Sequence, residues 1–141
     1  MDATRAGCAM TLDLSHGWHA ASARIEWFDP EPEHAAEATI QLHGWIDRSA
    51  LERLEGGFAM LSERGVRRLA LDCAHVRHVE FSAVPGLAEL LVRSAPGGLR
   101  LRGVSPHLRD LFRLAGCSGL VPAVLMASAR PDTGTRREFV A

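Results

Sequence analysis

Lysine, asparagine and tyrosine are absent from this chain of 141 residues, so all 16 positions that carry lysine or arginine are arginines. The codons of the three missing residues are AT-rich, which indicates a GC-rich bacterial genome as the source. Under such a bias, the choice of arginine over lysine at any one position carries little functional information.

A charge excess and a long apolar run are also missing. The formal net charge is −1, so no global field attracts nucleic acid or anionic lipid. No apolar segment approaches the ~20 residues that span a bilayer, and residues 1–19 contain no basic region followed by an apolar stretch. We therefore expect a cytoplasmic protein without a nucleic-acid partner and without direct membrane insertion.

Cysteine is scarce. Cys8, Cys73 and Cys117 form an odd set without close spacing, which favours reduced thiols over a disulfide framework. The composition, 47% hydrophobic and 23% charged, is that of an ordinary globular domain, and the length fits a single core.

The hydrophobic pattern predicts an α/β fold, a mixed sheet of four to five strands with helices packed on it. Strands are predicted over residues 10–14, 23–28, 39–43, 69–73 and 99–102, with a further edge strand over 121–125, and helices start near residues 49, 82 and 105. Residues 23–127 would form the domain, residues 1–22 an N-terminal extension, and the polar, arginine-rich residues 128–141 a disordered tail.

Capping signals locate the helix ends. Ser49 and Glu52 have capping-box spacing, Gly65 ends that helix, and Ser105 followed by Pro106 starts the last one. Helical periodicity directs one face of each helix inward, and for the second helix that face is Val84, Leu87, Leu90 and Leu91. The predicted core includes Leu51, Leu54, Phe58, Leu71, Leu87, Leu91, Leu101, Leu111 and Phe112.

Catalytic and metal motifs are weak. Two H-x-x-H pairs, His16/His19 and His75/His78, fall short of the three or four ligands of a metal site, and the second pair is expected in a loop. Cys73 lies in an apolar strand, which predicts a buried, inert thiol. We find no phosphate-binding loop and no assembled nucleophile and base, so we expect no catalytic residues, no metal, no cofactor and no enzymatic activity.

Several segments, taken in order, resemble the STAS domain of bacterial anti-sigma factor antagonists. The resemblance runs from Ile40 to about Val124, roughly three fifths of the chain. Its carrying segments are residues 42–47, 69–76, 81–93, 99–106 and 111–116. It implies the α/β fold above and a regulatory role through a protein partner, an anti-sigma factor or a related kinase.

The family's phosphorylation motif is degenerate here. Phosphorylatable members open the second helix with Asp-Ser-Ser-Gly-Leu, whereas Ala83, Val84 and Pro85 precede Gly86 and Leu87 in this chain. Val84 occupies the acceptor position and cannot take a phosphate. Ser82 is an alternative acceptor, although its simpler role is to cap the helix.

The resemblance also implies a partner-binding surface at one end of the sheet. It would combine the loop of residues 44–49, after the strand at 39–43, with the start of the second helix, residues 82–86, because both segments leave strand ends on the same side. Val84 would then face solvent beside Trp45 as the apolar centre of the interface, with a polar rim around it. The residues assigned to this surface are Trp45, Asp47, Arg48, Ser82, Val84 and Gly86. A local turn or capping role is the simpler reading of Asp47.

Two other functions fit the same resemblance or composition. One is an accessory STAS subunit of an ABC-type lipid transporter, and the other is a domain that senses a small molecule or nucleotide. A homodimer is an assembly that the sequence leaves open.

The missing acceptor generates a prediction. Incubated with ATP and a cognate switch kinase, the protein should take up no phosphate in residues 81–87, because Val84 has no hydroxyl. Mass spectrometry of that segment checks this, and stoichiometric phosphorylation of Ser82 would contradict it.

Overall fold

The computed structural model describes residues 7–28 and 36–117. Along the chain it contains β1 (Gly7–Asp13), β2 (Ala21–Phe28), β3 (Ala36–Ile46), α1 (Arg48–Glu63) and β4 (Val66–Val79). A short 3₁₀ turn (Phe81–Ala83), α2 (Val84–Ser94), β5 (Gly98–Arg102) and α3 (Pro106–Leu114) follow. The predicted edge strand at 121–125 and the predicted tail at 128–141 lie outside the described residues.

The five strands form one mixed sheet in the order β1-β2-β3-β4-β5. The first three are antiparallel neighbours, whereas β3, β4 and β5 run parallel through the helical connections α1 and α2. This confirms the α/β fold class with a mixed sheet. The segment treated as an N-terminal extension contributes β1 and the start of β2 to the same sheet.

The helices cover one face of this sheet. Ile25, Ile40 and Leu71 are opposite one another across β2, β3 and β4 and are fully buried, whereas the other face carries polar side chains such as Arg24 and Gln41. Seven of the nine predicted core residues are buried, and the remaining two, Leu51 and Leu101, are partly buried against the same core. The predicted core is therefore essentially the observed one.

Two strands are longer than the periodicity predicted. β3 continues past Gly44 to Ile46, and β4 continues past Cys73 to Val79. Their pairing shifts register between Gln41 and His43 and again between Gly44 and Trp45. Such bulges break the alternation of side chains, which is why alternation alone ended both strands early. His75 and His78 consequently lie in β4, and their expected loop position is wrong.

Helix starts differ from prediction in two places. Asp47, not Ser49, is the N-cap of α1, and its Oδ1 accepts a hydrogen bond from the backbone N–H of Ala50 at 2.8 Å. The capping-box interpretation of Ser49 and Glu52 is thus wrong by two residues. Ser82 does not cap α2, because a 3₁₀ turn precedes that helix and neither start has a side-chain cap. The Ser105 cap of α3 is confirmed, with its Oγ 3.1 Å from the N–H of Leu108.

The core generates a stability prediction. Leu54 is completely buried, so Leu54→Ala should lower the free energy of unfolding by about 2–5 kcal/mol through lost burial and a residual cavity. Urea denaturation measures the loss. Leu114→Ala is the matched control, because Leu114 is 72% exposed and should change stability by no more than about 0.5 kcal/mol. Equal losses for the two variants would contradict the described packing.

Candidate interaction site

Exposed aromatic side chains and histidines collect where β3 and β4 end and α1 begins. We call this region the upper edge; it comprises the β1–β2 turn (residues 14–20), residues 44–49 and residues 80–86. The backbone N–H of Glu80 donates to the carbonyl of Ile46 at 2.9 Å, which joins the last two segments. This hydrogen bond brings residues 44–49 next to the residue that precedes the 3₁₀ turn and the expected segment 82–86.

Asp47 lies at the centre of the upper edge and is only 5% exposed. One carboxylate oxygen caps α1, and the other lies 3.1 Å from Nδ1 of His19 and 3.6 Å from Nδ1 of His16. Burial opposes ionisation, but the N–H of Ala50 and the two histidines outweigh it, so the pKa of Asp47 lies below its usual value of 3.8. The simpler role proposed for Asp47, a helix cap, is what the structure shows.

An aromatic stack continues from His19. Its ring stacks on Trp45 at 4.6 Å between centroids, and Trp45 meets the ring of His78 edge-on at 4.7 Å. His78 in turn contacts His107, the second residue of α3, with Nδ1 and Nε2 2.9 Å apart. Burial and the neighbouring His107 lower the pKa of His78. The stack thus connects the β1–β2 turn, β3, β4 and α3.

Both H-x-x-H pairs supply a member of this stack. His19 stacks on Trp45 and His78 meets it edge-on, so the second histidine of each motif packs on an aromatic ring. Within residues 7–28 and 36–117, no group of three or more histidine, cysteine or acidic side chains is arranged to hold a metal ion. The H-x-x-H spacing in this chain therefore accompanies aromatic packing.

A glycine makes the turn's close approach to β3 feasible. Gly44 has φ +91°, and a Cβ at this position would lie 2.1 Å from the carbonyl oxygen of Ala20. That carbonyl accepts the N–H of the next residue, Trp45, at 3.0 Å. Any side chain at position 44 would therefore push the β1–β2 turn away from the upper edge.

The predicted site residues do not all reach the surface. Trp45 is 38% exposed, Arg48 and Ser82 are exposed, and Gly86 packs closely on Leu51 of α1. Val84 is 0% exposed, so the expectation that it faces solvent is wrong. The helical periodicity that directed Val84 inward is confirmed instead.

The 3₁₀ turn explains the position of Val84. Phe81 and Ser82 point outward from this turn, whereas Ala83 and Val84 are buried at the start of α2. Phe81, 54% exposed, supplies the apolar surface expected from Val84. The sequence analysis did not assign Trp18, Glu80 or Phe81 to the surface. Each of them lies in a segment between regular elements, and this position was the signal that could have identified them. The exposed hydroxyl of Ser82 has lost the capping role that argued against its phosphorylation.

The thiols take no part in this site. Burial raises the pKa of Cys73 to about 12 and also raises that of Cys117, so neither thiol is ionised near neutral pH. The predicted inert character of Cys73 follows from its burial.

Among the described residues, none of the helices combines the length and the apolar character that a membrane span needs.

Comparison with known protein families assigns this chain to one of them. The family model described as Mlab, STAS domain, matches residues 31–122. The chain belongs to the STAS-domain family. The matched residues include two of the three segments of the upper edge, residues 44–49 and 80–86.

Individual relatives of this STAS domain are more distant. The Bordetella bronchiseptica protein that carries the name anti-sigma factor antagonist BtrV is 28% identical over 83 residues, which cover 57% of this chain and 72% of that protein. The anti-sigma factor antagonist SpoIIAA in its unphosphorylated form is 21% identical with a TM-score of 0.48, covering 64% of this chain and 81% of that chain. The phosphorylated form of the Bacillus cell fate determinant SpoIIAA is 19% identical with a TM-score of 0.44, covering 64% and 84%.

The charged cap of the STAS domain generates a pH prediction. Asp47→Ala should lower the free energy of unfolding by about 0.5–2 kcal/mol at neutral pH. Because the pKa of Asp47 is lower in the fold than in the unfolded chain, its contribution is complete above the unfolded value and is lost as the pH falls through the folded value. The difference between wild type and variant should therefore shrink below about pH 4.

Ser105→Ala is the matched control for this pH series. Ser105 caps α3 through a hydroxyl, which does not titrate in this range, so its deficit should stay constant from pH 7 to pH 3. Denaturation curves at each pH give both differences. A constant deficit for Asp47→Ala as well would show that its carboxylate does not stabilise the fold through its charge.

Proposed function

We propose that this STAS domain is a cytoplasmic, non-catalytic regulatory module that binds a protein partner, an anti-sigma factor or a related kinase, through the upper edge. One observation carries the proposal. Trp45 and Phe81 are both exposed large aromatic side chains, and they belong to the two segments of the upper edge that the hydrogen bond between Glu80 and Ile46 joins. The exposed Arg48 lies three residues after Trp45. Exposed aromatic side chains surrounded by charged groups are the usual anatomy of an interface.

The relatives support the same kind of activity. BtrV carries the name of an anti-sigma factor antagonist, and that name refers to action on another protein, the anti-sigma factor. The enclosed apolar space between the sheet, α2 and α3 is lined by core side chains such as Leu42, Leu87 and Phe112. It offers no polar group to orient a small molecule or nucleotide, so this space lacks the features of a ligand pocket.

Regulation would differ from that of phosphorylatable members. A phosphate at the start of α2 would add about −1.5 to −2 charge to the interface. Val84 carries no acceptor and is buried in the core, so this surface would remain competent for binding. Control would then come from the amount of protein or from a site outside residues 81–87.

Site-specific photocross-linking tests the proposal. A benzophenone amino acid introduced in the native host at Arg48 or at Ser82, both exposed at the upper edge, should capture one protein in stoichiometric amounts. The same amino acid at Leu114 or at Val92, which are exposed on the last turns of α3 and α2, should not. Mass spectrometry of the adduct identifies the partner and separates a signalling kinase from a transporter ATPase.

Two results would contradict the proposed function. Capture at Leu114 or Val92 but not at Arg48 or Ser82 would move the interface away from the upper edge. Adducts at all four positions in equal amounts would indicate unspecific contact.

A further inference from the structure

Trp18, at the tip of the β1–β2 turn, is completely exposed (100%). We infer that it is a preformed anchor that inserts into an apolar pocket of the protein partner. This inference rests on the proposed function and extends its surface to the β1–β2 turn, outside the segments that carry the family resemblance. Tryptophan, like tyrosine and arginine, is enriched among the residues that dominate binding energy at interfaces.

The turn that carries Trp18 is hydrogen-bonded internally. His16 and His19 exchange two backbone hydrogen bonds of 2.9 Å across it, and Gly17 provides the positive φ of 58° that a tight hairpin turn requires. Below the tip, Ser15 Oγ bonds to the backbone of Ala21 in both directions, at 3.1 and 3.2 Å. The exposed ring of Trp18 therefore projects from an ordered support.

Two further contacts fasten the turn to the rest of the upper edge. The guanidinium of Arg53 in α1 donates to the backbone carbonyls of Asp13 and Ser15 at 3.3 and 2.9 Å. His19, next to Trp18, binds the Asp47 carboxylate and stacks on Trp45. Because the backbone beneath Trp18 is already ordered, binding through its ring costs little additional conformational entropy.

The surroundings of Trp18 indicate the chemistry of the partner. An open cleft between the turn and the start of α1 is lined by Trp18, Asp47, Arg48 and Glu80, among others. Arg48 and Glu80 make no side-chain hydrogen bond or salt bridge within the part of the chain that the structure describes. A partner with an apolar pocket flanked by one basic and one acidic side chain complements this arrangement.

A membrane surface fits the same site less well. An exposed tryptophan also suits a lipid interface, but the cleft beside Trp18 holds two carboxylates, those of Asp47 and Glu80, beside one arginine and two histidines, and its described residues include no cluster of basic side chains. Carboxylates repel the anionic head groups that attract peripheral proteins. The charges around Trp18 therefore favour a protein pocket.

Binding measurements on the full chain test the inference, with the protein captured at Arg48, identified and purified, as the probe. Trp18→Ala should weaken its affinity at least about tenfold, and Trp18→Phe should weaken it less because an aromatic ring remains. The melting temperature should not change, since the Trp18 side chain has no buried surface. Leu114→Ala, which removes an exposed apolar side chain elsewhere, should leave affinity within about twofold.

The outcomes separate this inference from the proposed function. If Arg48 captures a partner whose affinity is the same for wild type and Trp18→Ala, the anchor is refuted and the upper edge remains the interface. If wild type binds phosphatidylglycerol vesicles with a blue shift in tryptophan emission that Trp18→Ala abolishes, while partner affinity is unchanged, the turn binds lipid instead. If capture occurs at Leu114 and not at Arg48, both the proposed function and the anchor fail.

Discussion

The carboxylate of Asp47 is the contact on which the upper edge depends. It satisfies a backbone N–H at the start of α1 and, on its other oxygen, contacts the imidazole of His19 in the β1–β2 turn. A side-chain cap of this kind contributes about 0.5–2 kcal/mol to stability, because the cost of burying the carboxylate offsets part of the gain from its hydrogen bonds. One buried side chain thus links the end of β3 and the start of α1 to a turn whose contacting residue, His19, lies 28 residues earlier in the chain.

The stability of the fold and its exposed aromatic surface come from different parts of the molecule. The helices and one face of the sheet form an apolar core that reaches from Leu14 to Cys117, and that core accounts for stability. The upper edge exposes aromatic rings instead, and it orders them by stacking His19 on Trp45 and Trp45 against His78. Ordering an exposed aromatic surface before a partner arrives lowers the entropic cost of association, which is how such an edge can serve binding without any catalytic group.

The sequence predicted the architecture well because the core is periodic. Leu54, Phe58 and Leu61 follow helical spacing and are buried as expected, and the order of elements led directly to a mixed sheet. The strand ends were not predictable in the same way, since the bulges between β3 and β4 break the alternation that periodicity reads. Two signals disagreed about Val84. Its helical spacing to Leu87 and Leu91 predicted a buried side chain, whereas its alignment with a phosphorylation motif predicted an exposed one. Val84 is buried, so the helical spacing was the correct signal.

The candidate site was only partly predictable, for a physical reason. Trp45, Asp47 and Arg48 lie within four residues of one another and were found together, but His19 reaches Trp45 and Asp47 only through the fold. Trp18 and Phe81 belong to the same edge because of the β1–β2 turn and the 3₁₀ turn, which hydrophobic periodicity did not locate. Amide hydrogen exchange of the chain alone and with its captured partner tests the central claim most directly, because it reports on every segment at once. The account predicts slowed exchange confined to residues 14–20, 44–49 and 80–86, whereas protection on the open face of the sheet or at the end of α3, with the upper edge unchanged, would contradict it.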